Sequence, residues 1–266
     1  MIKLLAIANQ KGGVGKTTTA VNLGASLAVR GKHVLVVDLD PQANASSGLG
    51  YGLADSGGWS VYDCIIRGVS ASEAIRVSSR VGLDLLPSSI ALAGAEVELV
   101  SLADREYRLR ESLLDVSTRY DCVLIDCPPS LGLLTLNALT AADGVLIPVQ
   151  CEYLALEGLS RLISTIDLIQ GSLNQNLILA GLLLTMHDSR TNLSQQVVSE
   201  VRAHFPQTFR TIIPRSVRLS EAPSYGQSVL DYDPTSKGAQ SYIALAQEVI
   251  DLIDTDKTKT LKRGAP

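Results

Sequence analysis

Residues 11–18 read Lys-Gly-Gly-Val-Gly-Lys-Thr-Thr and follow directly on the apolar run Leu4-Leu5-Ala6-Ile7-Ala8. This junction constrains the fold more than any other feature of the chain. Gly12, Gly13 and Gly15 permit the tight turn in which consecutive backbone N–H groups surround a phosphate, because no Cβ obstructs those dihedrals. The next segment, residues 17–30, sets Ala20, Leu23, Leu27 and Ala28 at helical spacing, which predicts a helix about 20 Å long. The amino end of such a helix offers unpaired N–H groups and a positive dipole end to an anion. Strand, glycine-rich loop and helix in this order predict a triphosphate site. Lys16 would reach the terminal phosphates, and the Thr17 hydroxyl would ligate Mg²⁺. The usual pattern opens on a glycine, and here that position is Gln10. The loop carries an additional lysine, Lys11, beside its first glycines.

The rest of the chain repeats the alternation. Apolar runs at residues 3–8, 34–38, 83–87, 122–126, 144–149, 177–185 and 211–213 read as strands. Segments 17–30, 95–119, 133–141, 157–170, 193–204 and 237–253 read as helices. The order predicts an α/β fold with right-handed crossovers: a single doubly wound, mostly parallel sheet flanked by helices. Of the 266 residues, 46% are hydrophobic but only 4% aromatic. The core must therefore be built from Leu, Val, Ile and Ala, which suits parallel strands covered on both faces. Residues 43–58, rich in Gly, Ser and Ala, predict a loop or short helices. Residues 1–254 read as one domain, and the polar, lysine-rich residues 255–266 as a tail that frays. Cys64, Cys122, Cys127 and Cys151 form no Cys-x-x-Cys pair and read as reduced thiols of a cytoplasmic protein. No secretory signal is visible, and no apolar stretch approaches the roughly 20 residues needed to span a bilayer.

Two further motifs end apolar strands in carboxylates. Val34-Leu35-Val36-Val37 runs into Asp38-Leu39-Asp40-Pro41-Gln42. The aspartates stand two apart, so both side chains leave an extended strand end in the same direction. Asp40 is expected at the attacking water and Asp38 near the magnesium ion. Farther on, Val123-Leu124-Ile125 ends in Asp126, followed by Cys127-Pro128-Pro129-Ser130. A carboxylate there is expected to hold Mg²⁺, usually through water. The carboxyl ends of parallel strands are where such sheets bind ligands.

Together, Lys-Gly-Gly-Val-Gly-Lys-Thr-Thr, Asp-Leu-Asp-Pro-Gln and Ile-Asp-Cys-Pro-Pro-Ser-Leu-Gly resemble the deviant Walker-loop ATPases of the ParA/MinD group of P-loop NTPases. The runs from Thr185 to Thr191 and from Ile213 to Ser224 are similar to the chromosomal ParA (Soj) branch, as are Tyr232-Asp233-Pro234 and Ser236-Lys237-Gly238-Ala239. The resemblance covers about residues 1–254. It implies an ATP-dependent DNA-partitioning ATPase, with ATP and Mg²⁺ as ligands. ATP-binding residues would be Lys11, Gly12, Gly13, Val14, Gly15, Lys16, Thr17 and Thr18, with Pro214 and Arg215 at the adenine. Metal contacts would come from Thr17, Asp38 and Asp126, and the catalytic set would be Lys11, Lys16 and Asp40. It further implies an ATP-dependent homodimer in which Lys11 reaches the phosphates of the facing subunit. The dimer would bind double-stranded DNA without sequence preference through Arg190 and Arg218. A ParB-type centromere-binding protein would stimulate hydrolysis, and the protein would sit on the nucleoid.

Charge along the sequence fits a DNA-binding strip. The net charge is −4, yet residues 186–218 carry five arginines against two acids, a local +3. The competing expectation is a MinD-like membrane-associated regulatory ATPase. That function needs an amphipathic basic helix with bulky apolar residues, and residues 256–263 offer a single leucine and no aromatic. No membrane partner is therefore expected.

Overall fold

The computed structural model describes residues 2–52, 57–152 and 155–263. Its strands are β1 (Leu4–Ile7), β2 (Val34–Asp38), β3 (Arg76–Val77), β4 (Leu83–Leu86), β5 (Cys122–Asp126), β6 (Gly144–Gln150), β7 (Ile178–His187) and β8 (Thr208–Pro214). They form one sheet of order β3-β4-β2-β5-β1-β6-β7-β8, parallel throughout except for the short β3 against β4. This is the doubly wound fold that the alternation predicts. The chain builds β2 to β5 on one side of β1 and β6 to β8 on the other, so the topological switch falls at the strand that feeds the phosphate loop. Ligand crevices of open α/β sheets open at such points.

Each strand divides its side chains between two apolar layers with the period of two that extended backbone imposes. Leu5, Val34, Val36 and Leu124 face one layer; Ala6, Leu35, Val37, Val123 and Ile125 face the other. The first layer is closed by α1 (Lys16–Val29) and, later in the chain, by the helix that begins at Lys237, through Leu23, Leu27, Tyr242, Leu245 and Val249. Helix α1 lies close on the sheet: a methyl group on Gly24 would stand 3.0 Å from Val36 Cγ2 and 3.2 Å from Leu83 Cδ1. After β2 come α2 (Asn44–Gly48) and α3 (Ala71–Ala74). The other face carries α4 (Leu92–Leu99), α5 (Arg108–Ser117), α6 (Leu133–Ala141) and α7 (Ala155–Ser172). The chain closes with α8 (Asn192–His204), α9 (Val217–Glu221), α10 (Val229–Tyr232) and α11 (Lys237–Arg263).

Two expectations are revised. The single helix predicted over residues 95–119 is two, α4 and α5, separated by turns in which Asp104 takes a left-handed φ of 51°. Asn137 of α6 supports that break, donating to the Arg105 carbonyl at 2.8 Å and accepting from the Leu109 N–H at 3.1 Å. A partner distant in sequence thus supplies bonds that a continuous helix would have made itself. The last helix runs to Arg263 rather than 253; the first Gly or Pro after Gly238 is Gly264, so no local breaker stops it sooner. Within residues 43–58, expected as a loop or short helices, Asn44–Gly48 form a short helix; residues 53–56 lie outside the described residues.

Candidate active site

The phosphate loop is held before any ligand is considered. Asn9 follows β1, donates through Nδ2 to the Pro148 carbonyl at 2.7 Å, and accepts the Lys11 N–H at 3.0 Å. On the far side, the Thr185 hydroxyl of β7 donates to the Val14 carbonyl at 2.9 Å. The loop is therefore pinned to β6 and β7, two strands on one side of β1. Gly13 (φ 72°) and Gly15 (φ 90°) occupy the left-handed region that favours glycine, and Gly15 hands the chain directly into α1. Gly12 does not share that constraint, and a Cβ there would meet nothing within 4 Å.

Lys16 opens α1 and is 7% exposed, with Nζ donating to the Lys11 carbonyl at 3.4 Å. Burial pushes its pKa down; Asp126, the Cys127 thiol and Asp40 act in the opposite direction. The sheet brings the carboxylates to the same place. Asp38 and Asp126 are register partners at the ends of β2 and β5, and Ile7 of β1 pairs with Asp126 from the other side.

The three aspartates differ in how they are satisfied. Asp38 is fully buried and accepts from the Ser46 N–H and Ser46 hydroxyl, each at 2.7 Å, and from the Asp40 N–H at 3.2 Å. Burial nevertheless pushes it up to about 6, against those hydrogen bonds. Asp40 is oriented through the Gln42 N–H, which it accepts at 2.9 Å, and its carbonyl accepts the Ser88 hydroxyl at 2.7 Å. Asp126 is also fully buried, but neither carboxylate oxygen has a hydrogen-bond partner among the described residues. Burial first, then the neighbouring Asp38 charge, hold its pKa well above the usual carboxylate range; the Thr17 hydroxyl beside it acts the other way.

A buried carboxylate with both oxygens unsatisfied is costly unless something positive meets it. Asp126 and Thr17 offer oxygen donors that fit Mg²⁺, which binds through one or two carboxylates and takes its remaining ligands from water and phosphate; Asp38, expected as a third contact, has both oxygens taken by Ser46 and the Asp40 N–H and stands behind them. Among the described residues no group of three or more His, Cys, Asp or Glu side chains forms a closed metal cage. Cys127 is no nucleophile here, since burial pushes its thiol far above the ordinary range.

Sequence reasoning missed the supporting groups. Asn9 fixes a loop N–H, Thr185 a loop carbonyl, and Ser46 and Ser88 a site aspartate, yet single polar residues beside a motif carry no periodic signal. Glu152, after β6, was also missed: it pairs with Lys11 at 3.4 Å and with Arg215 at 3.7 Å. Pro214 ends β8 opposite His187 of β7, and Arg215 continues into the turn by donating its N–H to the His187 carbonyl at 3.0 Å.

Arg190 and Arg218 leave the same end of the sheet, after the paired strands β7 and β8. The local excess of positive charge counted along the sequence does not survive in space. Arg190 is clamped to Asp188 by bonds of 2.9 and 2.7 Å. Arg218 lies between Glu221 at 2.9 Å and Asp233 at 3.2 Å, and Arg210 pairs with Glu248 at 3.4 Å. Glu152, Glu221, Asp233 and Glu248 come from outside residues 186–218, so folding brings acids to arginines that the sequence window counted alone.

Strand order, switch point and loop define a P-loop ATPase fold. A family model described as "AAA domain" matches residues 2–179. The chain is 56% identical to the sporulation initiation inhibitor protein Soj of Bacillus subtilis, over 94% of this chain and 98% of that protein. It is 52% identical to the chromosome partitioning protein ParA of Myxococcus xanthus, over 98% of this chain and 91% of that one. Among solved structures, one of a cobyrinic acid a,c-diamide synthase from Mycobacterium smegmatis with bound ADP and magnesium superposes with a TM-score of 0.82 at 41% identity, covering 94% of each chain. The chain belongs to the ParA/Soj family of chromosome-partitioning ATPases. No described helix is long and apolar enough to cross a membrane.

Proposed function

We propose that this chain is a Mg²⁺-dependent ATPase that partitions DNA, switching between a monomer and an ATP-joined dimer. The observation that carries the ATPase reading is the convergence of Lys16, Thr17 and the unpartnered Asp126 carboxylate at the start of α1. Residues 11–18 hold the phosphates through backbone N–H groups, Lys16 meets the terminal phosphates, and Pro214 with Arg215 borders the adenine. Asp126 and Thr17 would hold Mg²⁺, with Asp38 behind them fixing Asp40 through its N–H. When bound, the ion would neutralise charge that develops in phosphoryl transfer. Asp40, 7% exposed and anchored by the Gln42 N–H, is placed to orient the attacking water.

Lys11 serves the facing subunit. The open space beside Gly12 leaves room for a second backbone to approach, and a cation delivered in trans makes ATP the joint between two chains. Arg190 and Arg218, duplicated by the dimer axis, form the strip that meets DNA phosphates once they exchange their carboxylate partners for DNA. A ParB-type protein stimulates hydrolysis and thereby release, in the cytoplasm at the nucleoid. Residues 1–254 carry the ATPase and residues 255–266 the tail. The partition reading is preferred to the diamide synthesis named for the solved structure because identity to the chromosome partitioning protein ParA of Myxococcus xanthus is 52% against 41%.

The test is duplex-DNA binding at several salt concentrations with ATP, ADP and no nucleotide. The expected outcome is binding with ATP alone and a logarithmic salt slope of about −0.9 per phosphate contact. Equal binding in all three states, or retained binding by Arg218→Glu at low salt, rejects the DNA assignment. Asp40→Ala should keep ATP binding and lose hydrolysis; a normal rate removes Asp40 from the mechanism.

A further inference from the structure

Glu152 stands where three segments meet: the loop after β1, the end of β6 and the turn after β8. Its Oε2 faces Lys11 Nζ at 3.4 Å; its Oε1 accepts from Gln150 Nε2 at 2.7 Å and lies 3.7 Å from Arg215 Nη2. The Lys11 backbone is fixed separately, through its N–H to Asn9 Oδ1. Only the Lys11 side chain has to move for the pair to part. Both partners are partly solvated, with side-chain exposures of 38% for Lys11 and 45% for Glu152, so the contact is weak enough to exchange.

The two cations sharing this carboxylate are the ones read as nucleotide contacts at opposite ends of ATP, Lys11 for the phosphates across the dimer and Arg215 near the adenine. A triphosphate concentrates several negative charges and offers stronger charge-assisted hydrogen bonds than one half-exposed carboxylate. We infer that Glu152 is a positioning residue: a resident anion that parks Lys11 and Arg215 away from the nucleotide and is displaced by phosphate as the second subunit docks. It sets the threshold for dimerisation by competing for the same lysine. This inference rests on the proposed role of Lys11 in trans.

The experiment compares wild type, Glu152→Gln and Glu152→Asp by sedimentation velocity with the non-hydrolysable analogue AMPPNP and Mg²⁺. Glutamine keeps an Oε1 acceptor for Gln150 and removes only the charge. Surface ion pairs of this exposure shift equilibria by roughly two- to fivefold. Each dimer parts two such pairs, so Glu152→Gln should dimerise at about four- to twenty-fivefold lower protein concentration, with Glu152→Asp returning toward wild type. The gap should close as added salt screens the pair. An unchanged or raised threshold, or a gap that persists undiminished at high salt, overturns the inference while leaving the dimer reading intact. If wild type stays monomeric with AMPPNP, the dimer reading fails instead. The inference is then judged on the monomer, by the rate at which an N-hydroxysuccinimide ester acetylates Lys11, read by mass spectrometry. Release from Glu152 should change that rate at least twofold in Glu152→Gln, and identical rates would overturn it.

Discussion

Replacing Asp126 by Asn should stabilise the nucleotide-free chain at neutral pH and flatten its pH dependence. Asp126 is fully buried, neither oxygen has a hydrogen-bond partner among the described residues, and its register partner is a second buried carboxylate, Asp38. The folded-state pKa of each is raised, Asp38 to about 6 and Asp126 well above its usual value. The native state therefore holds protons that the unfolded chain has already released, and stability falls as pH rises. The penalty is absent below about pH 4, where both states are protonated. It grows through the interval between the unfolded and folded values and is complete above the folded ones. For Asp38 the displacement from 3.8 to about 6 corresponds to a penalty on the order of 3 kcal/mol at pH 7. The two carboxylates share their protons, so the pair titrates as a unit.

An Asn at 126 is neutral at every pH and leaves Asp38 as the one ionisable member of the register pair. The gain at pH 7 should be about 1–3 kcal/mol, of the order of the Asp38 penalty, because the substitution removes the ionisation of residue 126 and not its polarity. That is roughly 2–6 °C in Tm for a chain of this size. Urea denaturation from pH 4 to pH 8, without nucleotide or Mg²⁺, measures it. The reasoning fails if Asp126→Asn is less stable than wild type at pH 7, or if its advantage is as large at pH 4 as at pH 7. Addition of Mg²⁺ and ATP should invert the order, because the ligands stabilise only a chain that binds them.

Three further outcomes follow from contacts around the site. Ser46→Ala removes one of three donors to Asp38 and the acceptor of the Ser88 N–H; it should cost about 1–3 kcal/mol, visible in the urea midpoint. Gly15→Ala meets no clash, since the nearest atom to its Cβ is Thr185 Cγ2 at 3.9 Å, but must hold φ at 90°. A loss of about 1–2 kcal/mol in stability, with weaker nucleotide binding by calorimetry, is expected. Thr185→Val keeps the shape and removes the bond to the Val14 carbonyl. A stability loss near 1 kcal/mol should accompany weaker ATP binding, and unchanged binding would show that β7 does not support the loop.

The alternation of apolar runs and helical segments carried most of the fold, because strand and helix periods are local properties of a chain. The phosphate loop was equally legible: the left-handed turns at Gly13 and Gly15 need glycine, and Lys16-Thr17 opens α1. Asp38, Asp40 and Asp126 could be picked out because each ends or closely follows an apolar strand. What the sequence could not carry was everything that depends on a distant partner. Asn137 divides α4 from α5 through bonds to residues about 30 positions away. The five arginines of residues 186–218 read as a basic strip only until folding sets Glu152, Glu221, Asp233 and Glu248 beside three of them. Chemistry that lives in a short loop is written locally, since backbone dihedrals and neighbouring side chains specify it. Charge balance and carboxylate pKa values are decided in three dimensions, because electrostatic energy depends on distance and burial, and only the assembled sheet sets Asp38 against Asp126 and Lys11 against Glu152.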